Sequence, residues 1–297
     1  MLHVVHHPDY VVTADGGAHQ FSKYGVVMDV LRAGGELTEH RPEPIACHWI
    51  EAAHHPAYVD AVLNARVDPV IERRIGFAVS PAVARRSELS LGGTWLAARL
   101  ALEHGYAANA AGGSHHALAD TGAGYCVFND LAVAALRLVA EATVERILIV
   151  DLDVHQGDGT AAILGGRDDI ATLSVHADKN FPVRKARSTC DVALPDGIGD
   201  QAYLEATARA LDAMLAEVRP QLIFYQAGVD VHTDDRLGRL SLTDGGVAAR
   251  DRLVANRART SGIALASVLG GGYGADVRTV ATRHATTMRT LAAAYFD

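Results

Sequence analysis

The chain has 297 residues, 49% of them hydrophobic and only 6% aromatic, and a formal charge of −8. The acidic balance speaks against a general nucleic-acid binder, and the core has to be aliphatic and rich in alanine. Three scattered cysteines, Cys47, Cys126 and Cys190, exclude a disulfide framework or a CxxC site and fit a reducing cytoplasm. The start of the chain lacks a basic, apolar leader. No apolar stretch is long enough for a bilayer, so a soluble cytoplasmic protein without membrane partners is expected.

In chain order, Leu2–Val5 reads as a first strand, and Ser22–Ala33 as a helix stopped by Gly34-Gly35. Ala46–Ala53 reads as a strand, and His55-Pro56 as the start of a helix through Val62. Residues 66–88, with Pro69, Pro81 and several arginines, read as surface connections. From Ser90 the pattern is regular. Helix Ser90–His104 is stopped by Gly105, and a small-residue strand follows at Tyr106–Ala111. Gly112–Gly124 is a loop, and Asn129 caps a helix to Glu141. Strand Ile147–Val150, a short helix near Thr160–Leu164 and strand Ile170–Val175 come next, then a polar loop to about Cys190. Helix Asp200–Val218 ends at Pro220 and precedes strand Leu222–Ala227 and a charged loop, Gly228–Leu242. Helix Thr243–Ser261, strand Ile263–Leu269 and helix Asp276–Tyr295 complete the pattern. Alternation of this kind predicts an α/β fold with one largely parallel sheet flanked by helices on both faces. Without a linker, low-complexity segment or repeat, residues 1–297 read as one domain.

The richest stretch is Arg146–Gly159, R-I-L-I-V-D-L-D-V-H-Q-G-D-G. A β-branched run suited to a strand buried on both faces ends in Asp151, Asp153 and His155 at alternate positions. If the backbone stays extended, the three side chains point the same way and form a plausible divalent-metal site. Gly157, Asp158 and Gly159 are ordinary turn residues, but a turn does not call for three aligned ligand types. His115-His116, Asp230 and Tyr273 likewise follow apolar runs. Parallel α/β sheets gather such insertions on one edge, where ligands bind. Asp230 by itself is equally a turn residue; beside Asp153 and His155 it becomes a third ligand. The pairs His6-His7 and His54-His55 read as structural. Gly270–Ala275 formally matches a dinucleotide fingerprint, but the acidic residue that should follow about 20 positions on is absent.

Five ordered motifs carry a family resemblance: G-G-S-H-H at 112–116, G-Y-C-V-F-N-D at 124–130, D-L-D-V-H-Q-G-D-G at 151–159, A-G-V-D at 227–230 and G-G-G-Y at 270–273. They resemble those of the zinc-dependent histone deacetylases, over roughly residue 90 onward and more loosely before it. Gln156 and the segment D-R-L-G-R-L-S-L-T at 235–243 look most like class IV and its bacterial relatives. The resemblance implies the arginase–deacetylase fold, with Asp153, His155 and Asp230 as zinc ligands. Amide hydrolysis would use His116 as general base and then acid, His115 as electrostatic partner, and Tyr273 as a hydrogen-bond donor to the amide oxygen. Asp151 and Asp158 would orient His115 and His116. Tyr125 and Phe181 would wall the acyl-lysine channel, with Gly124, Leu237, Gly271 and Gly272 also in contact with substrate. Asp151, Asp153, His155, Ser174 and Val175 match a monovalent-cation site, potassium in the family. The expected reaction is removal of acetyl or longer acyl groups from lysine side chains. An acetylpolyamine amidohydrolase is the first alternative, disfavoured by Leu237 where such enzymes carry an acid, although Asp234 and Asp235 lie beside it. A silent acyl-ligand binder is the second. An arginase-type dimanganese enzyme would need further bridging carboxylates. Acyl length, physiological substrate and oligomeric state are left open by the sequence.

Overall fold

The computed structural model describes residues 1–12 and 21–296. Eight parallel strands form one sheet: β1 (Leu2–Val5), β2 (Leu37–His40), β3 (Tyr106–Asn109), β4 (Ile147–Asp151), β5 (Ile170–Ala177), β6 (Cys190–Leu194), β7 (Leu222–Gln226) and β8 (Ala264–Val268). Their spatial order is β2-β1-β3-β8-β7-β4-β5-β6. The five central strands β3, β8, β7, β4 and β5 are buried throughout, which is why they read as unbroken apolar or small-residue runs. The edge strands β2 and β6 are half exposed and carry no such run, and neither is legible in the sequence.

Helices cover the sheet in two connected groups. One comprises α1 (Ser22–Ala33), α8 (Asp200–Val218), α9 (Asp244–Thr260) and α10 (Val277–Phe296), with α10 packed on both α1 and α9. The other is built around α5 (Pro81–His104), which lies against β3 and β8 and beside α6 (Asp130–Ala140); α7 (Asp158–Leu164) packs on α6 and β5. Three short helices, α2 (Cys47–Glu51), α3 (Pro56–Leu63) and α4 (Pro69–Ile75), occupy the connection before α5.

This connection departs from the sequence reading. The segment expected to be a strand at Ala46–Ala53 is the single-turn helix α2, in which Ile50 is buried; in so short a run the alternation does not distinguish the two. Residues 66–88, expected to be surface connections, hold α4 and the first turns of α5. Asp68 caps α4 and Ser80 caps α5, each followed by proline at the first helical position. Proline here starts a helix, because its missing N–H is one that a first turn leaves unpaired anyway. Among the described residues, no helix is long and apolar enough to cross a membrane.

Candidate active site

The carboxyl ends of β3, β4, β7 and β8 open onto a cavity of about 390 Å³ lined by His115, His116, Gly124, Tyr125, Asp153, His155, Phe181, Leu237, Gly271 and Tyr273, among others. Asp153, His155 and Asp230, all buried, place one ligand-type atom each within 4.8 Å of one another. Backbone amides preset the cluster: Val154 N–H donates to Asp230 Oδ1 (3.0 Å), His155 N–H to Asp153 Oδ1 (3.0 Å) and Gly271 N–H to Asp153 Oδ2 (2.8 Å). His155 turns Nδ1 between the two carboxylates, 3.0 Å from Asp153 Oδ1 and 3.3 Å from Asp230 Oδ2.

The donor set suits a divalent cation. Asp230 Oδ2 is buried without a hydrogen-bond partner, an arrangement that costs free energy unless a cation meets it. Burial, and then the neighbouring Asp153, push the Asp230 carboxyl up to about 7, so two anions here call for a positive charge between them. The backbone leaves no slack: a Cβ on Gly271 would collide with Asp230 Oδ2. Two carboxylates and one imidazole nitrogen are ordinary ligands for zinc.

Two histidines stand beside the cluster, each held by a carboxylate. His115 Nδ1 lies 2.7 Å from Asp151 Oδ2, and His116 Nδ1 lies 2.7 Å from Asp158 Oδ1. Both contacts put a proton on Nδ1, and at His116 this leaves Nε2 available as an acceptor. The rings part electrostatically. Burial depresses both, but Asp151 and Asp153 outweigh it at His115 and raise that ring to about 9. At His116, burial and then the neighbouring His115 bring the ring down to about 4. Burial, with Asp230 and Asp153 nearby, pushes the Tyr273 hydroxyl well above its ordinary range, so it keeps its proton and remains a donor. Asp158 sits in the first turn of α7; Asp151, at the end of β4, pairs in register with Ser174 on β5. Ser174 Oγ meets His176 Nδ1 at 3.0 Å, and Val175 follows in the same buried strand.

The chain matches the histone deacetylase domain model over residues 18–289. It belongs to the histone deacetylase family. This family member is 42% identical to an uncharacterised protein of Picosynechococcus sp., over 98% of this chain and 99% of that one. It is 32% identical to histone deacetylase 2 of Arabidopsis thaliana, over 85% of this chain and 68% of the relative. A histone deacetylase-like amidohydrolase of Pseudomonas aeruginosa is 36% identical over 54% of this chain and 45% of its own. Among solved structures, the HDA15 HD domain superposes with a TM-score of 0.82 at 21% identity, covering 97% of this chain and 90% of that one. That likeness places the arginase–deacetylase fold.

Around the family motifs, three apolar or aromatic side chains stand at the mouth of the cavity, Tyr125, Phe181 and Leu237, each 37–41% exposed. The Tyr125 and Tyr273 rings lie 5.7 Å apart, and Phe181 meets His116 edge-on at 4.7 Å. Gly124 and Tyr125 both adopt left-handed backbone (φ 53° and 68°), which is costly for an aromatic residue. The last carbonyls of α4 hold them there: Gly124 N–H donates to Arg74 O (3.0 Å) and Tyr125 N–H to Ile75 O (2.8 Å). Gly272 faces inward, toward Val229, Val280 and His284, and is absent from the cavity lining.

Four residues hold the site together in roles that the sequence reading does not assign, although Asp130 closes one of the quoted motifs. Asp130 accepts the N–H groups of Gly113 and Ser114 (3.1 and 2.7 Å), pinning the loop before His115. Gln226 at the end of β7 donates to Gly113 O (2.9 Å). Arg250 on α9, completely buried against Asp251, donates to Gly228 O (2.6 Å) and Leu152 O (3.3 Å), so it ties together the two loops that carry the carboxylates. Lys23 on α1 donates to Gly270 O (2.8 Å). A charged residue in a helix reads as surface, and nothing in the local pattern marks Arg250 or Lys23 as buried.

Proposed function

We propose that the protein is a zinc-dependent amidohydrolase that removes acyl groups from lysine side chains. One observation carries this reading: two histidines, each with Nδ1 on its own carboxylate at 2.7 Å, line the same cavity as the Asp153–His155–Asp230 cluster and Tyr273. Zinc bound by Asp153, His155 and Asp230 supplies Lewis-acid polarisation of the amide carbonyl and a more acidic water. Because two carboxylates offset the charge of that ion, further stabilisation of the oxyanion has to come from the protein. The Tyr273 hydroxyl donates a hydrogen bond to the carbonyl oxygen as it gains charge. His116, neutral and oriented by Asp158, takes the proton of the attacking water at Nε2 and then delivers it to the leaving amine nitrogen. His115, held by Asp151, supports the developing charge from deeper in the site. Tyr125 and Phe181 flank the aliphatic stem of the lysine, and with Leu237 they exclude water around it. A potassium ion near Asp151, Ser174 and Val175 belongs to the same reading, as does the class IV likeness carried by Gln156.

The test is turnover of zinc-loaded and chelator-treated protein against acetyl-, butyryl-, octanoyl- and myristoyl-lysine peptides. Chelator-sensitive release of the acyl group from one or more of them is expected. With zinc verified in the site, failure to cleave any of them would overturn the reading in favour of a silent acyl-ligand binder.

A further inference from the structure

Building on the lysine-deacylase reading, we infer that the cavity mouth receives an acyl-lysine embedded in an acidic stretch of peptide. The cations at the mouth carry the inference. Arg73 and Arg74, both exposed, line the cavity from the last turn of α4, the helix whose end clamps Gly124 and Tyr125. Among the described residues neither side chain has an ion-pair or hydrogen-bond partner. The helix C-terminus accounts for a cation in that turn, but not for two guanidinium groups that line the cavity without a partner among the described residues.

A third exposed arginine adjoins the lining residue Leu237 without lining the cavity itself. Arg236 precedes Leu237, and its N–H donates to Tyr273 O at 3.0 Å; its guanidinium is exposed and also without a partner among the described residues. The segment 178–187 carries Phe181 to the mouth with one aspartate against two lysines and two arginines, of which Lys185 is held by Asn180 O and Pro182 O (2.6 and 2.7 Å). All this lies on a chain with a net charge of −8, so the positive rim runs against the overall charge.

The nearby acids are fewer, and several are already engaged. The Asp235 carboxylate is consumed by the backbone, accepting N–H groups of Leu237 (2.9 Å), Gly238 (3.0 Å) and Tyr273 (2.6 Å). Asp234 pairs with Arg283 at 3.0 Å. Glu72 on α4 accepts the Val79 N–H at 2.7 Å. These carboxylates keep their charge but are already held, and Asp178 is the one acid of its segment. Across residues 69–76, 178–187 and 234–237 cations outnumber acids, so a polyamine with a second positive charge is disfavoured at the entrance. An acylated lysine has lost its own charge, and glutamate or aspartate flanking it can pair with the guanidinium groups in bidentate geometry. Exposed pairs are individually weak, but several acting together select the sequence context and speed encounter.

The experiment compares three peptides with the same acyl-lysine flanked by glutamate, alanine or lysine, and acetylputrescine, on zinc-loaded protein at low and high ionic strength. We expect kcat/KM to fall in the order glutamate, alanine, lysine, spanning about tenfold and residing mainly in KM. High salt should compress the span, and acetylputrescine should be the poorest substrate. The double variant Arg73→Glu/Arg74→Glu should invert the order of the charged peptides. If it does not fold, Arg73→Gln/Arg74→Gln should flatten that order. Equal kcat/KM for all three peptides, an order unchanged in the double variant, or preference for acetylputrescine overturns the inference, and the first two leave the deacylase reading intact. Cleavage of none, with zinc in place, overturns both.

Discussion

Two histidine pairs look alike in the sequence and do opposite work. In His115-His116 each Nδ1 meets a carboxylate at 2.7 Å. In His54-His55 the partners are backbone: His54 Nδ1 lies 2.9 Å from Leu118 O, its Nε2 accepts the N–H of Asn129 (2.9 Å), and His55 caps α3 through Ala57 N–H (3.3 Å). A carboxylate partner raises an imidazole's basicity against the pull of burial and fixes which nitrogen faces the cavity. Backbone partners make it cement. The two pairs also cooperate, because Leu118 and Asn129 bracket the loop that follows His116.

The difference can be broken at either end. The largest expected effect is His116→Ala, which should lower kcat/KM about 10²–10⁴-fold while circular dichroism and the melting temperature show the fold retained. Asp158→Asn keeps the shape but withdraws the charge behind His116, and a loss of about 10–100-fold in turnover is expected. His54→Ala should act on stability instead. It orphans a buried acceptor and the Asn129 N–H, a cost of about 1–3 kcal/mol by denaturant unfolding, with zinc binding by the folded fraction preserved.

His54 should also reveal itself through pH. Burial brings its ring down from 6.5 to about 4, so the neutral form is the one that fits the fold. Its contribution is complete above about pH 6.5, declines between 6.5 and 4 as the unfolded chain takes up the proton first, and declines no further below that. The His54→Gln variant should show a shallower loss of stability across that window in urea titrations. The smallest effect expected is for His55→Ala, where an exposed cap is lost, at about 0.5–1 kcal/mol. If His54→Ala abolished turnover in a fully folded protein, or His116→Ala only destabilised, the contrast between the pairs would be wrong.

Much of this was legible in the sequence. The buried strands announce themselves through runs such as Ile147–Val150, and the site groups through His, Asp and Tyr just beyond them. The family motifs then gave each position an expected role. What stayed hidden has physical reasons. Strands β2 and β6 lie at sheet edges, where half-exposed residues leave no apolar run. Pro69 and Pro81, read with the arginines as surface connections, are each the first residue of a helix. Arg250 and Lys23 reach the site from helices far away in the chain, and only the packed structure reveals that their charges end on carbonyls of the site loops. The cationic mouth was invisible for a related reason: Arg73 and Arg74 fell in a segment read as a surface connection, and their bearing on the entrance depends on where α4 docks.

The strand order has a consequence for how the molecule comes to exist. Strand β8, the last of the eight in the chain, sits between β3 and β7 near the middle of the sheet. Until Ala264–Val268 has emerged from the ribosome, β1–β3 and β4–β7 remain two separate half-sheets, each with an unpaired edge. Such edges are templates for pairing with other chains, so a chain cut off before β8 is expected to aggregate more readily than the full-length one. Insertion of β8 also delivers Gly271 to Asp153 and Tyr273 to the cavity, so a nascent chain acquires its complete site only when its sheet closes.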